Sequence, residues 1–282
     1  MSGPARKAAV TGYPVAQSRS PLVHGYWLKK HGLEGEYGKI EVSPETAEDF
    51  FANFSASGLV GANVTVPHKE VAAAACDQLD DAATTMGAAN TLWLDEAGRL
   101  CGANTDGIGF LGNLDQLVPG WDALPGTAVV LGAGGAARAI VWALLSRKFT
   151  KVHIVNRTFK KAKKIADEFG SRTIAHNWDK LRTLLGETDL LVNTTSLGMT
   201  GKSPLEIDLS ALPQETLVTD IVYVPLETDL LKQAGERGNQ TVDGLGMLLH
   251  QAVPGFEKWF GVRPEVDDEL RALILKDLGV EP

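Results

Sequence analysis

Short apolar runs alternate with longer amphipathic stretches along this chain of 282 residues. Residues 7–12 (KAAVTG) read as a short strand. Ser20 and Pro21 then supply an N-cap and a proline at the first helical position, and Gly32 lies past the end of that helix. Residues 37–42 read as a second strand, 46–57 as a helix with Phe50, Phe51 and Phe54 toward one face, and 59–66 as a third strand ended by Pro67. The Ala-rich stretch 69–79 predicts a helix, and 90–94 and 99–103 flank DEAG, a hairpin signal. Two Pro-Gly dipeptides within 117–126 (LVPGWDALPG) mark a linker, preceded by a bridging helix over 107–117. The second half is more regular: strand 127–131, helix 136–146, strand 152–155, helix 160–169, then apolar runs at 189–192 and 217–222. Strand, helix and strand at that spacing predict a doubly wound parallel sheet. Residues 245–260 and 266–278 read as helices that return to the first domain. The pattern therefore predicts an α/β protein of two domains, 1–106 plus 245–282 and 107–244, with no internal repeat.

The length allows two domains, each with its own core. Hydrophobic residues at 44% and charged residues at 22% argue against global disorder. A net charge of −8 disfavours nucleic acid and anionic membranes as partners. The two cysteines, Cys76 and Cys101, cannot build a structural zinc cage and do not form a disulfide framework, so no metal and a reducing compartment are expected. No apolar run reaches the ~18 residues of a membrane span, and the N-terminus lacks the apolar stretch of a signal peptide. A cytoplasmic location is the expectation.

Gly132-Ala133-Gly134-Gly135-Ala136-Ala137 reads GxGxxA, directly after an apolar strand and opening a helix. In that setting the string predicts a dinucleotide site: a tight turn, backbone N–H groups close to a pyrophosphate, and a helix N-terminus behind them. An NAD site would place an acid about 20 residues further on. Here the end of the next strand reads Asn156-Arg157-Thr158, with no acid. Arg157 would hold a 2′-phosphate or stack on adenine, with Lys160 and Lys161 nearby, so NADP(H) is favoured over NAD; the alternative is a solvated basic helix start. In the first half, Ser18 and Ser20 either bind a carboxylate or, through Ser20, cap a helix. Lys69 lies just beyond a strand and is either functional or a solvated charge. Asp106, in Asn104-Thr105-Asp106, is either functional or a helix cap, and Asn90-Thr91 carries the same ambiguity. His24 and His68 lack metal-ligand spacing.

Taken in order, these clusters resemble the shikimate dehydrogenase family over essentially the whole chain. The matching strings are GYPVAQSRSPLVH from Gly12, NVTVPHK from Asn63, GAANT from Gly87, GANTDGIG from Gly102, GAGGAA from Gly132, NRT from Asn156, NTTSLGM from Asn193, Tyr223 with Pro225, and DGLGMLLHQ from Asp243. The resemblance implies an N-terminal α/β substrate domain and a Rossmann-type, doubly wound NADP domain. It implies reversible reduction of 3-dehydroshikimate to shikimate with NADPH, in aromatic amino acid precursor synthesis, by a monomer or homodimer. Lys69 and Asp106 would be the acid–base pair. Ser18, Ser20, Thr65, Asn90, Tyr223 and Gln251 would surround the substrate. Gly132, Ala133, Gly134, Gly135, Ala136, Asn156, Arg157 and Thr158 would hold NADP(H), with Thr194, Ser196, Met199, Ile221, Gly244 and Met247 on the nicotinamide side. Gln17 replaces a frequent His and Gly25 a frequent Asn, which bears on substrate breadth. Two other readings remain: a quinate/shikimate dehydrogenase with broader substrate or NAD use, and a non-catalytic NADP-binding regulatory module.

Overall fold

The computed structural model describes residues 5–280. The outermost ends of the first predicted domain, residues 1–4 and 281–282, lie outside the described residues. Contacts divide the chain into two compact units, one formed by 1–106 with 249–282 and the other by 107–248.

Unit 1 is built from β1 (Arg6–Gly12), α1 (Ser20–Lys30), β2 (Gly35–Glu41), α2 (Ala47–Ala52), β3 (Gly61–Val64), α3 (Lys69–Ala75), β4 (Gln78–Leu79), α4 (Asp81–Met86), β5 (Thr91–Leu94) and β6 (Leu100–Ala103). Its sheet has the order β2-β1-β3-β5-β6-β4. β1 pairs in parallel with β2 and β3, and β5 runs antiparallel to both β3 and β6. Every residue of β3 and β6 is buried, as expected of central strands covered on both faces.

α5 (Asp106–Leu117) leads into unit 2, which contains β7 (Thr127–Leu131), α6 (Gly135–Ser146), β8 (Lys151–Val155), α7 (Phe159–Phe169), β9 (Thr173–His176), α8 (Leu181–Leu185), β10 (Leu190–Asn193), β11 (Leu217–Asp220), α9 (Asp229–Glu236), β12 (Thr241–Val242) and α10 (Leu245–His250). Its sheet is wholly parallel, in the order β12-β11-β10-β7-β8-β9. Counted within the unit that is 6-5-4-1-2-3, the doubly wound order whose reversal point lies between β7 and β10. Apolar residues on both faces of this sheet are sealed by α6 and α7 on one side and by α8, α9 and the 205–212 segment on the other. The chain returns to unit 1 through α11 (Val253–Phe260) and α12 (Asp268–Asp277).

Several elements depart from the pattern-based expectation. The helix predicted over 46–57 stops at Ala52 and resumes as a 3₁₀ turn, Phe54–Ser57, where Asn53 donates back to the Asp49 carbonyl. The helix predicted over 69–79 ends at Ala75. Asp77 is captured at the sheet edge, its N–H on the Leu100 carbonyl and its carboxylate on the Leu100 N–H, and β4 follows. The 245–260 helix is broken between His250 and Val253, where Pro254 occupies the first turn of α11 and removes a donor. Ser20 is the first helical residue and does not cap α1: Arg19 holds the cap position, and the Ser20 N–H donates instead to Ser18 Oγ at 3.3 Å.

Two histidine rings, His24 and His68, are buried in unit 1. His24 is fully buried, stacked on Tyr37 with ring centroids 3.9 Å apart and flanked by Trp27, Phe256 and Trp259. Its Nε2 lies 3.2 Å from Asn63 Oδ1, which marks Nε2 as the protonated nitrogen of a neutral ring. Desolvation pushes its pKa down to about 3. The unfolded chain therefore takes up this proton first as pH falls. The contribution is complete above the unfolded pKa of ~6.5 and is lost progressively toward pH 3. Urea unfolding at pH 7.5 and 4.5 should show a His24-dependent loss of about 3 kcal/mol. That difference should disappear in His24→Gln; an unchanged pH dependence in the variant would contradict it.

Candidate active site

In unit 1 the chemistry gathers around the ends of β3, β5 and β6. Lys69 opens α3 just beyond β3, and Asp106 follows β6 at the start of α5. They are 37 positions apart, yet Lys69 Nζ donates to Asp106 Oδ2 at 2.5 Å. The other carboxylate oxygen, Oδ1, accepts from Asn90 Nδ2 at 2.7 Å. Asn90 is held in that orientation. Its Oδ1 accepts the Thr105 N–H at 2.9 Å and lies 3.1 Å from the hydroxyls of both Thr105 and Thr91. With donors converging on that oxygen, the amide cannot flip without placing N–H groups against N–H and O–H donors. The side chains of Lys69 and Asp106 retain 28% and 16% exposure, so the pair is reachable from solvent. An ion pair open to that degree contributes little to stability; its significance is positional.

The hydrogen-bonded chain extends further. Asn63 donates through Nδ2 to Thr91 Oγ1 and to the Asn90 carbonyl, both at 3.3 Å, and accepts from the Tyr37 hydroxyl at 2.6 Å. Tyr37 is in turn hydrogen-bonded to Ser20, and burial raises its pKa well above the usual phenol value. Ser18 Oγ lies 3.2 Å from Ser20 Oγ. The Gln251 carbonyl accepts from Thr105 Oγ1 at 2.8 Å. Seven of the sequence-predicted positions thus stand in unit 1, and Lys69, Asp106, Asn90, Ser18, Ser20 and Gln251 are joined by this network. Thr65, half-buried, is fixed through its backbone, donating to the Thr11 carbonyl and accepting from the His68 N–H. Gln17 is exposed, with its amide on the Pro14 carbonyl. A side chain at Gly25 would meet nothing within 4 Å. Tyr223, half-buried, belongs to unit 2.

Pattern reading gave Tyr37 and Asn63 no part in this chain of bonds, and named Thr91 and Thr105 only as neighbours of Asn90 and Asp106. The available signal was modest: polar residues in segments that are otherwise buried. Asn63 sits within the wholly buried β3.

In unit 2 a groove of about 710 Å³ opens at the carboxyl ends of the parallel strands, where the strand order reverses. It is lined by Gly132, Ala133 and Gly134, by Asn156, Arg157, Thr158, Lys161 and Trp178, and by residues 194–197 and 203–206. Gly132 has φ +107°, and a Cβ there would lie 2.7 Å from Thr194 Oγ1. Gly134 and Gly135 have neither constraint: a Cβ at either would touch no protein atom within 4 Å. The space beside them is left open, which fits a turn that must admit a phosphate closely. α6 starts there without a side-chain cap, so its first N–H groups are free to face an anion. Arg157 is exposed, has no acidic partner among the described residues, and shares the groove with Lys161. The donor set suits a dinucleotide carrying an additional phosphate.

The remaining positions predicted on the nicotinamide side also lie in unit 2. Thr194 Oγ1 donates to the Leu131 carbonyl at 2.6 Å, directly beneath the glycine turn. Ser196 lines the groove, and Met199 is 38% exposed. Ile221 donates its N–H to the Asn193 carbonyl. A Cβ at Gly244 would come within 2.3 Å of the Ile221 carbonyl oxygen, so only glycine permits this approach. Met247 packs against the core. Ala136 stands in the first turn of α6. Among the described residues no group of three or more His, Cys, Asp or Glu is arranged to hold a metal, and no helix is long and apolar enough to cross a membrane.

The chain matches three family models: shikimate dehydrogenase substrate binding domain over residues 10–92, shikimate/quinate 5-dehydrogenase over 122–224, and shikimate 5′-dehydrogenase C-terminal domain over 244–273. It is 56% identical to the shikimate dehydrogenase (NADP(+)) of Azorhizobium caulinodans, with 98% of each chain covered. The shikimate dehydrogenase of Thermus thermophilus, solved with NADP(H) and shikimate, superposes with a TM-score of 0.83 at 35% identity, covering 95% of this chain and 98% of that one. The quinate dehydrogenase of Corynebacterium glutamicum, solved with NAD, superposes with a TM-score of 0.88 at 28% identity, covering 96% and 99%.

The glycine turn yields a direct test. Gly132→Ala must either leave the left-handed backbone region or displace Thr194, at a cost of about 1–3 kcal/mol in local strain. Dinucleotide affinity, measured by fluorescence titration, should fall at least about tenfold; unchanged affinity would contradict the assigned role of this turn.

Proposed function

The chain belongs to the shikimate dehydrogenase family, and from that premise we propose that it catalyses the reversible, NADP-dependent reduction of 3-dehydroshikimate to shikimate. The observation that carries the reading is the Lys69–Asp106–Asn90 cluster, an ammonium held by a carboxylate that is itself held by an amide.

NADPH, when bound, supplies the hydride. Residues Gly132, Ala133, Gly134, Asn156, Arg157, Thr158 and Lys161 would hold it by its phosphates and adenosine. Addition of hydride to the ketone carbon leaves negative charge on the oxygen, which needs a proton or a cation in the transition state. Lys69 Nζ donates the proton as the C–O single bond forms. The neutral amine that remains regains a proton from solvent, to which the side chain is open. In the oxidation direction the neutral amine accepts the hydroxyl proton. Asp106 fixes the amine in place through Oδ2, and Asn90 prevents the carboxylate from rotating away. Ser18 and Ser20, with Thr65, Asn90 and Gln251, offer hydroxyl and amide groups to a carboxylated polyol. A site built from such groups rejects analogues that leave them unpaired.

Cofactor choice follows from charge. The end of β8 bears Arg157 and no carboxylate, so a 2′-phosphate meets a cation rather than a repelling acid. The structural likeness to a quinate dehydrogenase solved with NAD keeps a second reading open, in which quinate is also turned over. Steady-state rates with shikimate or quinate, each with NADP or NAD, decide between the two; the proposed function requires the shikimate–NADP combination to dominate.

Two substitutions test the assigned roles. Lys69→Ala should lower kcat by about 10²–10⁴-fold, the range for a positioned acid–base group, while NADPH affinity stays near the wild-type value. Turnover close to wild type would remove Lys69 from the mechanism. Arg157→Ala should weaken NADPH by at least about tenfold, as expected for loss of a charge-assisted phosphate contact, and leave NADH unaffected. Equal losses for both dinucleotides would make Arg157 structural.

A further inference from the structure

Asp220, the last residue of β11, is 1% exposed and has no cation paired with it among the described residues. Burial raises its pKa, and only neutral donors satisfy it. Oδ1 accepts the Val222 N–H at 2.9 Å and Asn193 Nδ2 at 3.0 Å, and Oδ2 accepts the Thr228 hydroxyl at 2.8 Å. Burying a carboxylate is expensive, and an apolar residue at this depth would avoid that cost. Its three bonds reach three different segments: its own turn, the end of β10, and the N-cap of α9.

Asn193 transmits this arrangement to the groove. Fully buried, it is oriented by Asp220 through Nδ2, so its Oδ1 faces the following loop and accepts the N–H and hydroxyl of Thr195 at 3.0 and 2.8 Å. Thr195 Oγ1 accepts the Leu197 N–H at 3.1 Å, and Asn193 Nδ2 also reaches the Leu197 carbonyl at 3.3 Å. Residues 194–197 are one wall of the groove. Thr194 is held separately by the Leu131 carbonyl, and the rest of the wall, 195–197, is shaped by hydrogen bonds that trace back through Asn193 to one carboxylate that does not itself line the groove.

We propose that Asp220 is a positioning residue for the cofactor: through Asn193 it holds the 195–197 part of the wall in the shape that receives NADP(H). The inference deepens the proposed function and rests on it. A wall held before binding spares the ligand the cost of ordering it. A preorganised wall therefore appears in the dissociation constant for NADPH and not in the binding of substrate to unit 1.

The test uses the full-length protein, with NADPH affinity read by fluorescence titration, shikimate binding by calorimetry, and folding by urea denaturation. Asp220→Ala leaves three buried donors unpaired and should weaken NADPH by about 10–100-fold, with shikimate affinity within twofold of wild type. Asp220→Asn keeps an acceptor for Val222 and Asn193 and turns its N–H₂ toward the Thr228 hydroxyl, so it should restore NADPH affinity to within about threefold. Thr228→Val removes the bond to Asp220 together with the long N-cap bond from the Leu231 N–H, at a site away from the groove, and should weaken NADPH by about two- to tenfold, with Thr228→Ser restoring it. If Asp220→Ala does not fold, the Thr228 pair decides. Folded variants that bind NADPH like wild type overturn the inference, as does a parallel loss of shikimate affinity. Wild-type protein without affinity for NADPH would overturn the proposed function as well, which separates the two failures.

Discussion

The proposed acid–base end of unit 1 depends on one carboxylate with two different partners. Asp106 gives one oxygen to an ammonium and the other to an amide. Two bonds in different directions fix both the position and the rotation of the group, and a single ion pair could fix only the first. The constraint passes backward through Asn90 to the backbone of Thr105, and forward to Lys69 Nζ. Sheet topology makes it possible. β5 and β6 are joined as an antiparallel pair beside β3, which brings Asn90, Thr105 and Asp106 to the same end of the sheet as the start of α3. The carboxylate can be held this firmly because its restraints are short-range and come from strands whose residues are wholly or largely buried.

Unit 2 solves a different problem with different chemistry. A dinucleotide is large and anionic, and its binding calls for open space, free N–H groups and a cation placed off to one side. The glycine turn after β7 provides the first two. Thr194 supports that turn from below, and its side chain occupies the place a Cβ on Gly132 would need. Arg157 and Lys161 provide the third from the end of β8 and the start of α7. The charged residues that line the groove are Arg157, Lys161 and Glu206. The walls behind it are shaped by neutral hydrogen bonds, apart from the buried carboxylate of Asp220.

Much of this was legible in the amino-acid sequence, for identifiable reasons. The parallel sheet of unit 2 announces itself because its strands are buried on both faces and its helices are amphipathic. The GxGxxA string fixes where the groove lies. What the pattern could not reveal were elements whose existence depends on a distant partner. β4 is two residues long and forms because Asp77 binds Leu100; nothing local distinguishes it from the end of an Ala-rich helix. The break between α10 and α11 rests on one proline in an otherwise continuous helical pattern. The proximity of Lys69 and Asp106, across 37 positions, is a consequence of strand order and not of spacing. Asn63 and Asp220 were given no role because a polar residue at the end of an apolar run has no periodicity.

The same contrast explains where polar groups are buried at all. Interior polar side chains cost free energy unless every donor and acceptor is matched. In unit 1 the fully buried His24 is kept neutral and donates to Asn63, whose amide nitrogen serves Thr91 and the Asn90 carbonyl, while the His24 Nδ1 is left without a partner among the described residues. In unit 2 the buried Asp220 is matched by three neutral donors. Neither group lies at the surface of its site; each stands one residue behind it and orients an asparagine. Asparagine suits that position because it carries a donor and an acceptor on one rigid plane, so fixing one side aims the other. Asn63 and Asn193 are thus places where the interior of each unit orients groups near its proposed site.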